Sequence, residues 1–251
     1  SAGTRRVRGL GSEAPAGGGV TAAASTLEER VAEVRGRIAR AASRSGRLPE
    51  SVTLIAVTKT HPAETVLEAF TAGLTDFGEN RVQEATAKAE EVSQSLGTQA
   101  LVAGGPRWHL IGHLQTNKVR AALGTFAILH SVDSERLLRA VSGAATSPIQ
   151  VFIEVNIAAE PQKYGVTAAE VPALVAIARE LPNIEVCGLM TVAPHVVDRE
   201  GTRPVFRALK TLAQRQGLSG LSMGMTNDFE VAIEEGATHV RVGRALFGER
   251  P

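Results

Sequence analysis

Apolar and polar positions change rhythm repeatedly along this chain. TLEERVAEVRGRIARAASRSG has apolar residues at Leu27, Val31, Val34, Ile38 and Ala41, the stripe of an amphipathic helix. VTLIAV, residues 52–57, is a continuous apolar run of strand length. A helical pattern returns in ETVLEAFTAG and closes at Gly73, as helices often do. TDFGEN reads as a short strand, and a helix is expected from Val82 to Leu96. RWHLIGHLQ, FAILHSV, IQVFIEVNI, IEVCGLMTVAP, LSGLSMGM and THVRVG repeat the strand pattern. NKVRAAL, SERLLRAVSG, AAEVPALVAIARE, a stretch around Val205 to Gln216, NDFEVAIEEG and RALFGER repeat the helical one.

Eight strand candidates thus alternate with helices, and no hairpin turn joins any neighbouring pair. Such alternation requires parallel strands with helical crossovers. The expected fold is a single α/β domain, a (β/α)8 TIM barrel with an extra N-terminal helix. A doubly wound open sheet is the alternative, but no GxGxxG follows the first strand and no P-loop motif occurs.

Composition narrows the function classes. The hydrophobic content of 43% supports a substantial core, and 27 Lys and Arg nearly balance 26 Asp and Glu. That balance gives no basic field for nucleic acid and no acidic tail for a basic partner. The single cysteine, Cys187, excludes an internal disulfide; its place in IEVCGLM predicts a buried, unreactive thiol, and a reducing cytoplasm fits. No apolar run approaches the roughly 20 residues of a membrane span. Residues 1–24 contain three arginines among Gly, Ala and Pro but no apolar signal core, and are expected to form a disordered tail. The domain is therefore placed at 25–251.

Candidate chemistry gathers where barrel strands end. LIAVTKTHP leads a buried strand straight into Lys59, either a solvated loop lysine or an amine in a partly dry pocket, poised as a nucleophile toward carbonyls. The following strand ends bring Glu79 and Asn80, His109 and His113, Asn156, Thr191, Ser222 and Arg241. Each alone has an ordinary explanation: Asn80 as a cap, Ser222 in a turn, Arg241 paired with a carboxylate. SMGMTND places Ser222 and Gly224 before a helix opening with Asn227 and Glu230, a spacing like a capping box. VRVGRALFG ends the last strand with Gly243, where a ligand could approach the backbone. The backbone N–H groups of Gly243 and Arg244, with the Ser222 hydroxyl, would form a phosphate cradle; two ordinary strand-to-helix turns are the alternative.

Other candidates are weaker. His109 and His113 are four apart, but on a strand and its exit rather than on a helix face, and HExxH is absent, so packing or pocket lining is preferred to a metal site. Pro62 is expected to start a helix and turn His61 outward. Lys118 and Arg120 read as solvated charges or a surface patch.

AVTKTHP, FGENRVQE, WHLIGHLQTNK, VNI with KYG, GLMT, SMGMTNDFEVAI and VRVGRALFG cover, in order, nearly everything after the tail. In these motifs the chain resembles the pyridoxal-phosphate-binding family typified by bacterial YggS and human PROSC, single-domain relatives of the alanine racemase barrel. The resemblance implies a Schiff-base link between Lys59 and pyridoxal 5'-phosphate, Ser222 and the amides of Gly243 and Arg244 at the phosphate, Arg241 facing the pyridine nitrogen, and Asn80 beside the ring. Relatives often carry a small hydroxyl residue at position 244, so Arg244 departs from the pattern while its amide remains. The implied role is a non-catalytic, cytoplasmic carrier or regulator in cofactor homeostasis, monomeric, with pyridoxal-phosphate-dependent apoenzymes as possible recipients and with neither nucleic acid nor membrane as partner. An amino-acid racemase using the same lysine is the alternative, and a barrel for another phosphorylated metabolite is a third. Against the racemase, the chain ends at Pro251, where alanine racemase continues into a domain carrying a second catalytic group, and its single tyrosine, Tyr164, is expected to pack over the barrel rim.

Overall fold

The computed structural model describes residues 25–97 and 104–248. The tail expected at 1–24 lies outside them. Eight parallel strands close into a barrel in sequence order. They are β1 (Thr53–Val57), β2 (Asp76–Glu79), β3 (Arg107–Leu110), β4 (Ile128–Val132), β5 (Ile149–Glu154), β6 (Ile184–Met190), β7 (Gly220–Met225) and β8 (His239–Val242). β8 pairs back onto β1, with Ile55 opposite Arg241 and Ala56 opposite Val242. This is the expected TIM barrel.

Helix α1 (Leu27–Arg44) precedes the barrel. Its start is fixed by a reciprocal capping box between Thr26 and Glu29, which satisfies two otherwise orphaned amides. Its stripe, Val31, Val34, Ile38 and Ala41, is buried as the periodicity requires. Eight further helices are described: α2 (Ala63–Thr71), α3 (Val82–Leu96), α4 (Val119–Leu123), α5 (Glu135–Ala144), α6 (Val171–Glu180), α7 (Arg203–Arg215), α8 (Phe229–Glu234) and α9 (Arg244–Phe247). α1 packs on α8 and α9, where the Arg37 guanidinium lies 4.5 Å from the Phe229 ring centroid. None of the described helices is long and apolar enough to cross a membrane.

Two sequence expectations change. RWHLIGHLQ leaves the sheet after Leu110, because the next turn passes so close to β2 that a Cβ at Gly112 would lie 2.4 Å from the Asn80 carbonyl oxygen. The capping box expected at Asn227 and Glu230 does not form. The N-cap of α8 is Asp228, whose Oδ1 accepts from the Met225 amide at 2.6 Å, while Glu230 pairs with Arg37 and Arg199. Tertiary ion pairs have taken the side chain that local capping would have used.

Gly224 sets the approach of β7 to α8. Its φ of +92° disfavours L side chains, and a Cβ there would lie 2.5 Å from the Ala232 Cβ and 2.9 Å from the Phe229 Cα. Gly224→Ala should therefore cost about 1–3 kcal/mol through overpacking and backbone strain. The urea midpoint measures this; an unchanged midpoint would mean the strand end relaxes freely.

The large apolar core lies between the sheet and its helices, with a smaller cluster of Ile128, Phe152 and Met190. Alongside these, the strands bury Asp76, His109, His130, Ser222 and Arg241. Buried polar groups of this number require partners, and the hydrogen bonds described below supply them.

Candidate cofactor site

Lys59 sits in the turn that follows β1 and is partly buried. The turn is held from both sides. The His61 amide donates to the Thr58 carbonyl at 3.0 Å, and the Thr60 amide donates to Glu84 Oε1 at 2.7 Å. Thr60 has φ +68°, a left-handed conformation that a β-branched residue rarely adopts and that often marks functional turns. His61 lies with its ring centroid 5.2 Å from that of Phe247, so it packs on α9 instead of only facing outward.

Beneath this turn lies a second lysine that the sequence pattern hid. Lys88 of α3 is buried, and its Nζ donates to Glu79 Oε1 at 2.6 Å and to the Thr58 carbonyl at 2.8 Å. Thr58 Oγ1 donates to the same Glu79 oxygen at 2.7 Å. Burial raises the Glu79 pKa, and the bonds from Lys88 and Thr58 oppose that rise without cancelling it. Glu79 Oε2 and the neighbouring Asn80 Oδ1 are buried with no hydrogen-bond partner. Asn80 follows the last residue of β2, so an unsatisfied carboxamide oxygen belongs to the C-terminal end of the strand paired with β1.

Arg241 is 4% exposed. Its Nη1 donates to Ser222 Oγ at 2.6 Å and its Nη2 to the Thr191 carbonyl at 2.9 Å. Burial lowers its pKa to about 10, against the opposing charges of Glu154 and Asp228, so the guanidinium remains charged at neutral pH. Glu154, the last residue of β5, is also buried. Desolvation and then the charge of Asp133 push its carboxyl up to about 7, with Arg241 opposing. A carboxyl tuned to that range is suited to proton transfer, and nothing in the run IQVFIEV distinguished it.

Ser222 lies within β7. It pairs in register with His239, whereas Met225 is the residue opposite Arg241. Its side chain has no exposure, and its oxygen already meets Arg241 Nη1 and His130 Nδ1, the latter at 2.8 Å. The hydroxyl is thus joined to both Arg241 and His130. The hydroxyl beyond the end of β7 belongs to Thr226, which is partly exposed. The loops after β7 and β8 are tied by Arg244 Nη2 donating to Asn227 Oδ1 at 2.9 Å, which gives the unexpected Arg244 side chain a bridging role. Gly243 lies against the end of β1, where an added Cβ would come 3.4 Å from the Val57 Cβ and carbonyl oxygen. Lys59, Asn80, Arg241, Gly243 and Arg244 therefore follow or lie near the C-terminal ends of β1, β2 and β8, which are neighbours in the barrel.

The remaining candidates have structural tasks. Asn156 closes the loop after β5, donating to the Glu160 carbonyl at 2.8 Å and accepting from the Glu160 amide at 3.1 Å. Thr191 Oγ1 donates to the Val155 carbonyl at 2.7 Å. His113 Nδ1 lies 3.2 Å from Asp133 Oδ2, and the Tyr164 ring stacks on His113 at 4.1 Å between centroids. Cys187 is half-buried; burial and then the Glu185 charge push its thiol up to about 11, which leaves little nucleophilic thiolate.

With this geometry in place, comparison with known proteins identifies the lineage. The family model described as alanine racemase, N-terminal domain, matches residues 31–251. The chain is 42% identical to the pyridoxal phosphate homeostasis protein of Pseudomonas aeruginosa, over 90% of this chain and 96% of that protein. It is 43% identical to the protein of the same name from Aquifex aeolicus, over 88% and 97%. Among solved structures, PipY of Synechococcus elongatus with PLP bound matches with a TM-score of 0.73 and 36% identity, covering 89% of this chain and 100% of that one. The chain belongs to the pyridoxal phosphate homeostasis protein family, built on the alanine racemase N-terminal barrel.

Proposed function

We propose that the protein binds pyridoxal 5'-phosphate covalently through Lys59 and serves in its homeostasis as a carrier or regulator without efficient turnover. The observation that carries this reading is the pairing of β1 with β8: the strand that leads into Lys59 has Ile55 opposite the buried Arg241 and Val57 against Gly243. Lys59 supplies the amine for the aldehyde, and Arg241 faces the pyridine nitrogen. The orphaned Asn80 carboxamide lies beside the ring. The amides of Gly243 and Arg244 and the hydroxyl of Thr226 surround the phosphate, and Ser222 acts through Arg241. When bound, the cofactor supplies an aldehyde that condenses with amines and a ring that withdraws electrons. A guanidinium is donor-only, so Arg241 leaves the ring nitrogen unprotonated and weakens that withdrawal. This favours holding the cofactor over activating a substrate. The same reading places the protein in the cytoplasm as a monomer, with apoenzymes that need the cofactor as its recipients.

Incubation with pyridoxal phosphate followed by borohydride reduction and peptide mass spectrometry tests this reading. The adduct is expected on the peptide containing Lys59, in near-stoichiometric yield. An adduct mainly on Lys88, Lys118 or Lys163 would overturn the assignment. One observation favours a second reading, a racemase: the buried carboxyl of Glu154 at the C-terminal end of β5, pushed up to about 7 by desolvation.

A further inference from the structure

Arg241 ends a continuous series of buried hydrogen bonds. Asp76, the first residue of β2, has its Oδ1 2.8 Å from His109 Nε2. His109 Nδ1 is 3.0 Å from His130 Nε2, His130 Nδ1 is 2.8 Å from Ser222 Oγ, and Ser222 Oγ is 2.6 Å from Arg241 Nη1. The links run from β2 through β3 and β4 to β7 and β8, within the barrel. His109, His130 and Ser222 have no exposure, so water is not available as an alternative partner.

Donor and acceptor inventory fixes the direction of every link. A guanidinium only donates and a carboxylate only accepts, while a hydroxyl and a neutral imidazole each do one of each along a chain. Asp76 is held as the carboxylate: bonds from His109, Arg107 and Thr75 lower its pKa despite desolvation. Desolvation lowers the pKa of both histidines and keeps them neutral. Arg241 therefore donates to Ser222, and Ser222 donates to His130 Nδ1. His130 donates from Nε2 to His109 Nδ1, and His109 donates from Nε2 to Asp76. Every polar atom on the path is satisfied, and reversing the imidazoles would leave the Ser222 hydroxyl proton without an acceptor. Phe152 stacks on His130 at 4.6 Å with an interplanar angle of 9°, which fixes the ring plane.

We propose that Asp76, His109, His130 and Ser222 form a one-way hydrogen-bond chain that positions the Arg241 guanidinium. In this arrangement the carboxylate of Asp76, the first residue of β2 and beside the half-exposed Arg107, orients the arginine of β8 through the histidines and the serine. The four are positioning residues and touch no ligand. The chain exists whatever binds; its effect on cofactor affinity rests on the pyridoxal-phosphate reading above.

Long-range proton–nitrogen NMR of the histidine-labelled, cofactor-free full chain at pH 7.5 tests the chain by itself. His109 and His130 should both be neutral and carry their proton on Nε2. In Asp76→Asn, which removes the charge but keeps an oxygen to accept from His109, both Nε2–H tautomers should persist while the Arg241 side-chain signals shift. A proton on His130 Nδ1 in the unaltered protein would overturn the proposal, and so would Arg241 signals indifferent to Asp76→Asn. If Asp76→Asn fails to fold, the tautomers of the unaltered protein still decide. With pyridoxal phosphate, Asp76→Asn should bind roughly tenfold more weakly, the loss of one charge-assisted contact, while Arg107→Gln should stay within about twofold. Equal affinity in Asp76→Asn and the unaltered protein would sink the positioning role. Absence of the Lys59 adduct in the unaltered protein would instead sink the cofactor reading and leave the NMR result standing.

Discussion

Lys88→Met should destabilise the fold by about 3–5 kcal/mol, the usual consequence of removing one member of a buried ion pair. Glu79 has no exposure, and Lys88 supplies the charge that compensates it at 2.6 Å. Methionine matches the volume of the lysine stem but leaves the carboxylate with only the Thr58 hydroxyl. For a domain of this size the thermal midpoint should fall by roughly 10 °C. The pH dependence gives the loss a signature. The folded pKa of Glu79 is already raised by burial, and removing Lys88 raises it further. A raised carboxyl is tolerated below the ordinary value of 4.5 and loses stability as pH climbs through its folded pKa. The deficit of Lys88→Met should therefore be small in acid and full at neutral pH, and a second change, Glu79→Gln, should recover much of it. A deficit independent of pH would place the cost in packing. Lys88 also holds the Thr58 carbonyl, so covalent loading of the adjacent Lys59 should slow in the same variant.

The holo-protein should racemise amino acids, if at all, on the order of 10³-fold more slowly than the ~10 per second median of enzymes, because one acid/base partner contributes that much. Racemisation needs a proton-transferring group on each face of the α-carbon. Lys59 provides one. Tyr164, the chain's single tyrosine, is 60% exposed and stacked flat on His113, a packing role at the rim. Arg241, facing the pyridine nitrogen as proposed, would further weaken the ring as an electron sink. Incubation with L-alanine and other L-amino acids, followed by chiral chromatography, measures the D-enantiomer directly. Sustained turnover near the median that disappears in Lys59→Ala and in Tyr164→Phe would overturn the carrier reading. Turnover lost in Glu154→Gln would name the carboxyl of β5 as the second group.

The eight strands and their helices were legible because each is a period written locally: apolar runs for strands buried on both faces, stripes for helices buried on one. The Val82–Leu96 helix falls at its expected bounds, and β3 falls short because its end depends on contact with Asn80 across the sheet. Lys59, Asn80, Arg241 and Gly243 stood out as polar or side-chain-free positions at the ends of apolar runs, a signal contained in the order of residues. Lys88 was invisible for the opposite reason. On a helix, one lysine among polar neighbours reads as solvated, and only the packing of α3 against β2 shows that its ammonium is enclosed with Glu79.

Sequence alone determined the barrel, the strand order and which chain segments meet at its mouth, since parallel strands with helical crossovers leave few topologies open. Tertiary structure alone decided which polar groups face one another there. It joined Ser222 to Arg241 and His130, gave Arg244 a bridging bond to Asn227, and linked Asp76, His109 and His130 from three strands. Those outcomes depend on strand register and on closure of the sheet, which bring together residues up to 92 positions apart, as His130 and Ser222 are. Periodicity tells which side of a strand faces the core; it carries no record of the partner found across the barrel.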